Sequence, residues 1–154
     1  MISLARGQKT KLADLTAALQ LQVALRFNAP QLAFDFSCFG LDEEGKLSDD
    51  RYFIFYNQTE SPERALRLTS STPHEAQFAL DLSRLPASVN RLVFVATVDG
   101  TGAMSAIESG EFSLGDGKAT VAQFALEGAL FGTEKAIMVA EIYRKGEWRL
   151  AANG

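Results

Sequence analysis

The chain has 154 residues, of which 47% are hydrophobic and 22% charged, and its formal net charge is −4. This composition is typical of one globular domain and excludes a disordered chain or a coiled coil. The net acidic charge, with no block of lysine and arginine, argues against a nucleic-acid partner. We therefore expect a single domain over residues 1–154, which can also be the N-terminal part of a longer protein.

Apolar and polar residues alternate along the first half of the chain, as in half-buried β-strands. The alternation predicts strands at residues 21–27, 32–41 and 52–56. In the second of these, Phe34, Phe36 and Cys38 fall on one side and Asp35 on the other. The polar stretch 42–50 contains one glycine and is predicted to be a loop.

The second half of the chain shows the same pattern. Further strands are predicted at residues 77–82, 91–98, 108–114, 120–126, 136–143 and 147–151. Residues 91–98 read as a strand buried on both faces, and 115–117 and 144–146 as hairpin loops. Only residues 11–19 have helical spacing, enough for two turns. The fold class we predict is all-β: a two-sheet antiparallel β-sandwich with at most one short helix.

The usual signatures of catalysis are missing from the sequence. It contains one histidine, His74, and one cysteine, Cys38, so it has no cluster with metal-ligand spacing. Phosphate-loop, dinucleotide and Gly-x-Ser-x-Gly motifs are also absent. Cys38 lies among phenylalanines and is expected to be a buried small hydrophobe. We predict that the protein is not an enzyme.

Three features of the sequence predict where the protein resides. A single cysteine cannot form an internal disulfide, which agrees with a reducing compartment. No segment reaches the roughly 18 apolar residues of a membrane span, and the N-terminus lacks an apolar stretch of signal-peptide length. We expect a cytoplasmic protein.

Carboxylates are the most informative polar residues. Asp35 interrupts an aromatic strand, and five acidic residues crowd the loop at 42–50. Calcium takes six to eight oxygen ligands, often from several loops at one end of a sandwich. Asp35, this loop, Asn57 and Glu75 could converge on such an ion if the strands pair as expected. Alternatively, the loop is a solvated acidic turn and Asp35 faces water; the loop has no EF-hand pattern.

Several segments, taken in order, resemble the TerD family, the bacterial tellurium-resistance and stress-protein domain. They are Ile-Ser-Leu-Ala-Arg-Gly-Gln-Lys at residues 2–9, Asp-Phe-Ser-Cys-Phe-Gly-Leu at 35–41, Asp-Arg-Tyr-Phe-Ile-Phe-Tyr-Asn at 50–57, Leu-Asp-Leu-Ser-Arg-Leu-Pro at 80–86, and Glu-Ile-Tyr-Arg-Lys-Gly-Glu-Trp-Arg at 141–149. The resemblance spans nearly the whole chain. It implies a β-sandwich with a calcium cluster of acidic residues in loops at one end.

The chain departs from the family pattern at several acidic positions. Asn28, Ala33 and Tyr52 stand where the family has aspartate, and residues 70–72 replace its Gly-Asp-Asn stretch. The matching positions that remain are Asp35, Asp50, Asn57 and Glu75. Because calcium affinity falls as ligand charge is removed, we expect an eroded, vestigial site at these residues, with either no cofactor or weakly bound calcium.

The resemblance implies a stress-response and tellurium-resistance domain that acts as a non-enzymatic binding or scaffold module for protein partners. A functional calcium-binding domain and a small-ligand or carbohydrate-binding sandwich are the alternatives. Tyr52, Tyr56 and Trp148 are candidates for a binding surface, although we expect core packing for each. The sequence leaves the partner and the oligomeric state open.

Overall fold

The computed structural model of the protein describes residues 1–153, which form twelve β-strands. The strands are β1 Ile2–Leu4, β2 Lys9–Lys11, β3 Gln20–Asn28, β4 Ala33–Leu41, β5 Phe53–Ile54, β6 Leu66–Ser71, β7 Glu75–Asp81, β8 Arg91–Asp99, β9 Ser109–Gly115, β10 Thr120–Leu126, β11 Ala136–Lys145 and β12 Glu147–Ala152. The strands predicted by alternation lie within one or two residues of the observed ones, except at 52–56, where only Phe53–Ile54 pairs as a strand.

The strands form two six-stranded sheets that pack as a sandwich. Sheet I has the order β1-β10-β9-β3-β7-β6, and sheet II has the order β2-β12-β11-β8-β4-β5. All neighbouring strands are antiparallel except β1 and β10, which pair in parallel at the edge of sheet I. The predicted all-β sandwich is confirmed, with this one parallel pair added.

The core lies between the sheets and is built from the alternate residues of each strand. Phe34, Phe36 and Cys38 are all buried, as their shared parity predicts. The largest fully enclosed side chains include Phe78, Phe94, Phe112 and Phe124. These rings come from both sheets, so aromatic contacts join the two layers.

β8 is less completely covered than its sequence predicts. Leu92 and Phe94 point into the core, and Val93 is buried on the outer face. Val95 and Thr97, also on the outer face, are half-buried. Among residues 1–153 no further layer of secondary structure covers sheet II, so the outer side of this central strand is only partly screened by neighbouring side chains.

The two helical turns predicted at residues 11–19 do not form. Lys11 ends β2, and Leu12–Asp14 make a single 3-10 turn. An isolated helix this short is marginal in water, whereas pairing of β2 with β12 satisfies backbone groups directly. Between residues 1 and 153, no helical turn has the length and apolar character required to cross a membrane.

The hairpin loops follow the prediction. Gly117 in the β9–β10 loop and Gly146 in the β11–β12 loop adopt φ values of 88° and 75°. These left-handed conformations are accessible to glycine at little cost, which explains the sharp reversals there.

Candidate functional site

Asp35 lies on the outer face of sheet II, in β4, opposite Thr97 of β8. Its side chain is exposed because its neighbours Phe34 and Phe36 take the core-facing positions. Partial loss of hydration, and then the negative charge of Asp99, raise the pKa of Asp35 above its ordinary value. Asp99 is at the end of β8, where its odd parity places it on the same outer face as Asp35.

Glu75 and Asn57 lie toward the same end of the sandwich as Asp35. The loop before Glu75 joins the sheets there, because the amide of Phe34 donates to the carbonyl of Pro73 at 2.9 Å and that of Phe27 to His74 at 2.8 Å. Asn57 lies in a tight turn closed by Phe55 and Gln58. Tyr56, the residue before Asn57, lines the same cavity as Asp35, which places this turn near Asp35.

The structure does not bring Asp50 to the other three residues. Asp50 begins the 3-10 turn that precedes β5, and Tyr52 of that turn lies against Gly40 near the end of β4. From Asp35 to this end of β4 the chain advances by six residues, or about 20 Å at the usual strand rise. One ion cannot contact the side chains of both Asp35 and Asp50.

The acidic loop at residues 42–50 forms turns whose carboxylates bond to neighbouring residues of the same segment. One carboxylate oxygen of Asp42 accepts from the amides of Glu44 and Lys46, both at 2.9 Å. Asp49 pairs with Arg51 at 2.8 Å, and the hydrogen bonds from Arg51 lower the pKa of Asp49. Within residues 1–153, no three His, Cys, Asp or Glu side chains are grouped closely enough to share a metal.

A strip of aromatic side chains lies beside Asp35 on the outer face of sheet II. We call Phe39, Phe53, Phe55 and Tyr56 the aromatic strip. The ring centroids of Phe39 and Phe53 are 4.5 Å apart and those of Phe53 and Phe55 are 4.4 Å apart, in stacked arrangements. Tyr56 meets Phe55 edge-on at 5.3 Å. These rings, with Asp35, line a cavity of about 230 Å³.

The aromatic strip is open to solvent, and hydrogen bonds to its backbone hold it in place. The three phenylalanines are half-buried, and Tyr56 is 63% exposed. The side-chain amide of Gln58 donates to the carbonyls of Asp50 at 2.7 Å and Phe53 at 2.8 Å, which fixes the segment that carries the rings. Parity could have revealed this surface, since Phe53 and Phe55 flank the buried Ile54.

The three aromatic residues singled out from sequence have different environments. Tyr52 is buried, and its hydroxyl donates to Glu63 at 2.6 Å. Trp148 packs partly against the core, with the guanidinium of Arg144 4.7 Å from its ring. Core packing is therefore confirmed for Tyr52 and for part of Trp148, and it is wrong for Tyr56, which extends into solvent.

The single histidine is engaged in a hydrogen bond, and the single cysteine is enclosed. The Nε2 atom of His74 hydrogen bonds with the carbonyl oxygen of Leu32 at 2.8 Å. Cys38 is fully buried in β4, as its parity predicts, and burial raises the pKa of its thiol. Neither side chain is presented to a substrate in the cavity beside the aromatic strip.

Comparison with known proteins gives relatives of nearly the same length. General stress protein 16U of Bacillus subtilis (strain 168) is 29% identical over 174 residues, covering 99% of this chain and 89% of that protein. Tellurium resistance protein TerD of Serratia marcescens is 28% identical over 173 residues, with the same two coverages. A solved Streptomyces coelicolor A3(2) homologue of the telluride resistance protein TerD shares the fold, with a TM-score of 0.65 at 16% identity over 90% of each chain.

The family assignment rests on the whole chain. The family model of the TerD domain matches residues 1–154. The segments that suggested this resemblance run from β1 to β12, and both sheets contain them. The chain belongs to the TerD domain family.

Proposed function

We propose that this protein is a non-enzymatic binding module of a cytoplasmic stress-response and tellurium-resistance assembly. The names of its relatives give the physiological setting. The observation that carries the proposal is the aromatic strip, a rigid apolar surface left open on the outer face of sheet II. Aromatic side chains exposed in a contiguous group are typical of protein interaction sites.

The surroundings of the aromatic strip define the partner's chemistry. Asp35 and Asp99 form a like-charged pair at one end of it. Met138, 56% exposed and paired with Val95, extends the apolar surface on the other side. The partner we propose is a protein segment with apolar side chains next to an arginine or lysine, since the apolar groups would cover the rings and the cation would relieve the Asp35–Asp99 repulsion.

A binding role also agrees with the enclosed position of Cys38. Thiol chemistry on a metalloid requires an accessible thiolate, and Cys38 is enclosed with a raised pKa. We propose that the protein contributes to resistance through assembly and not by reducing or trapping the metalloid.

We further propose that the calcium site of the family is eroded in this chain. Asp35, Asn57 and Glu75 remain near one end of the sandwich, while Asp50 lies near the other end of β4. Two carboxylates and one amide fall short of the six to eight oxygens that calcium prefers, and affinity falls with ligand charge. Any calcium bound here would be held weakly.

The binding proposal predicts a selectable peptide ligand. A displayed library of random 12-residue peptides, panned on the protein and depleted on the Tyr56→Ala variant, should yield peptides with an aromatic or aliphatic residue beside a basic one. Tyr56→Ala and Phe53→Ser should each weaken a synthetic copy of such a peptide by about 10- to 30-fold, because each removes a buried contact. Fluorescence anisotropy measures the affinity.

Leu130→Ala is the matched control, because Leu130 is 44% exposed and lies outside the aromatic strip. It should leave the peptide affinity unchanged. Unaltered thermal melting of each variant would show that the fold is retained. Peptides that lack basic residues, or that bind the Tyr56→Ala protein equally well, would contradict the proposal, as would self-association of the protein that depends on Tyr56.

The calcium proposal predicts a small effect on thermal unfolding. Calcium at about 1 mM should raise the Tm by less than about 2 °C, because an ion present near or below its Kd adds little stability. Differential scanning fluorimetry after chelator treatment measures this, with magnesium as the ionic control. A rise of several degrees at about 10 µM calcium, lost in Asp35→Asn, would show an intact site instead.

A further inference from the structure

A second cavity lies on the opposite side of the sandwich from the aromatic strip. It occupies the outer face of sheet I, across β3, β7 and the edge strand β6, and measures about 220 Å³. Arg64, Arg67 and Arg84 line it. We call this cavity the arginine pocket.

The strand register explains why a hollow forms there. Arg67 of β6 is paired with Ala79 of β7, and Ala79 is paired with Gln22 of β3. A methyl group therefore lies between two long side chains on the same face, and it becomes the floor of the pocket. Arg84 is supplied by the 3-10 turn that follows β7, and Arg64 by the turn before β6.

The pocket carries net positive charge in a chain whose net charge is −4. One carboxylate, Asp81, lines it together with the three guanidinium groups. Asp81 is occupied by Arg84 at 3.3 Å, by the amide of Ser83 at 3.1 Å and by Gln20 at 3.4 Å. Arg64 pairs with Glu60, which lies outside the lining, at 3.3 Å.

Arg67 is the arginine left available. Its side chain is half-buried, and within the described residues it makes neither an ion pair nor a side-chain hydrogen bond. A guanidinium group presents a fork of N–H donors that matches two oxygens of a phosphate. Arg64 and Arg84 lie beside Arg67, each paired with one carboxylate, and the three guanidinium groups together suit an oxyanion.

A shallow trough leads away from the arginine pocket across sheet I. This second hollow of about 480 Å³ shares Gln22 and Ala79 with the pocket. Small residues on the outer face of the adjacent strands β3 and β9, including Ala24 and Gly115, form its floor, which leaves the hollow open. Lys118 lines it in the β9–β10 loop, and amide and hydroxyl groups of Gln77, Thr69 and Ser113 border it.

We propose that the arginine pocket binds the phosphate group of a small phosphate monoester, whose polar organic part lies in the trough toward Lys118. The charge and donors of the pocket fit the phosphate, and the amide and hydroxyl groups of the trough fit a hydroxylated body. This site is separate from the aromatic strip, which lies on the other sheet.

Binding of three probes tests the proposal: glucose 6-phosphate, inorganic phosphate and glucose. In isothermal titration calorimetry at low ionic strength, the phosphate monoester should bind most tightly, inorganic phosphate more weakly and glucose not measurably. Arg67→Gln should weaken both phosphate ligands by about 10- to 100-fold, because it removes charged hydrogen bonds. Lys118→Gln should weaken the monoester more than inorganic phosphate.

Arg26→Gln is the matched control. Arg26 is an exposed arginine on the same face of β3, between Glu75 of β7 and Glu111 of β9. The variant makes the same change of charge outside the pocket, so it should leave phosphate binding unaltered. Amide shifts in a ¹H–¹⁵N spectrum should move at residues 64, 67 and 84 when phosphate is added.

Several outcomes would overturn the proposal. Equal loss of binding in Arg26→Gln and Arg67→Gln would show attraction to overall charge, and no binding at about 10 mM of any phosphate probe would show that the pocket is not a site. Arg64→Gly gives a second variant, since Arg64 has a φ of 60° that glycine adopts easily. It should retain the turn and weaken phosphate binding; unchanged binding would contradict the role of Arg64.

Discussion

Replacing Phe94 by alanine should lower the free energy of unfolding by about 3–5 kcal/mol, the usual cost of deleting a fully buried phenylalanine. Phe94 is fully enclosed in β8, at the centre of sheet II. Its ring meets Phe78 at 5.4 Å and Phe112 at 6.1 Å, and both of these belong to sheet I. The substitution therefore removes a contact that joins the two layers and leaves a cavity between them.

Urea unfolding followed by tryptophan fluorescence measures this change, since the chain contains one tryptophan. Phe94→Leu is the graded control: it keeps most of the volume and should cost clearly less. A loss below about 1 kcal/mol for the alanine variant would mean that the sheets repack around the gap, contrary to the close packing expected of such a core.

Replacing Gly128 by alanine should lower the free energy of unfolding by about 3 kcal/mol, at the upper end of the usual cost of overpacking. A methyl group at this position would overlap the backbone carbonyl oxygens of Ile107 and Ser105. The amide of Gly128 already donates to the carbonyl of Ile107 at 3.0 Å, so the two backbones cannot separate without losing this bond. The contact joins two 3-10 turns, Met104–Ala106 and Gly128–Leu130.

Gly132→Ala is the matched control in the same loop. A methyl group there would lie 3.2 Å from a side-chain oxygen of Glu134, an exposed side chain that can rotate aside at the cost of one hydrogen bond, which it accepts from the Gly132 amide. Urea unfolding should therefore show a much smaller loss for Gly132→Ala. Equal stability of Gly128→Ala and the parent protein would mean that the two turns shift freely.

The two proposed binding surfaces lie on outer faces, away from this core. Tyr56 and Arg67 are on opposite sheets, and neither is among the buried residues. Substitutions there should alter binding with little effect on unfolding, because neither side chain is part of the core. Stability and binding can thus be measured separately in this protein.

The alternation of residues within a strand was sufficient to predict which face of that strand is buried. The parity of Phe34, Phe36 and Cys38 gave the core face of β4, and that of Asp35 gave the solvent face. Alternation did not predict β6 at residues 66–71, because polar residues fill the second half of this edge strand. The helical spacing at residues 11–19 was also misleading, because strand pairing and a 3-10 turn form there instead of a helix. Edge strands need little apolar surface, so their pattern is weak.

The sequence by itself determined the all-β class, the inward faces of most strands and the family, because side-chain alternation and ordered family segments are properties of the chain read in line. Only the tertiary structure decided which distant residues became neighbours. It set Asp50 far from Asp35, placed Asp99 beside Asp35, and put Arg67 across Ala79 from Gln22. Strand order and register fix these neighbours, and both depend on pairing between segments tens of residues apart, which no single strand encodes.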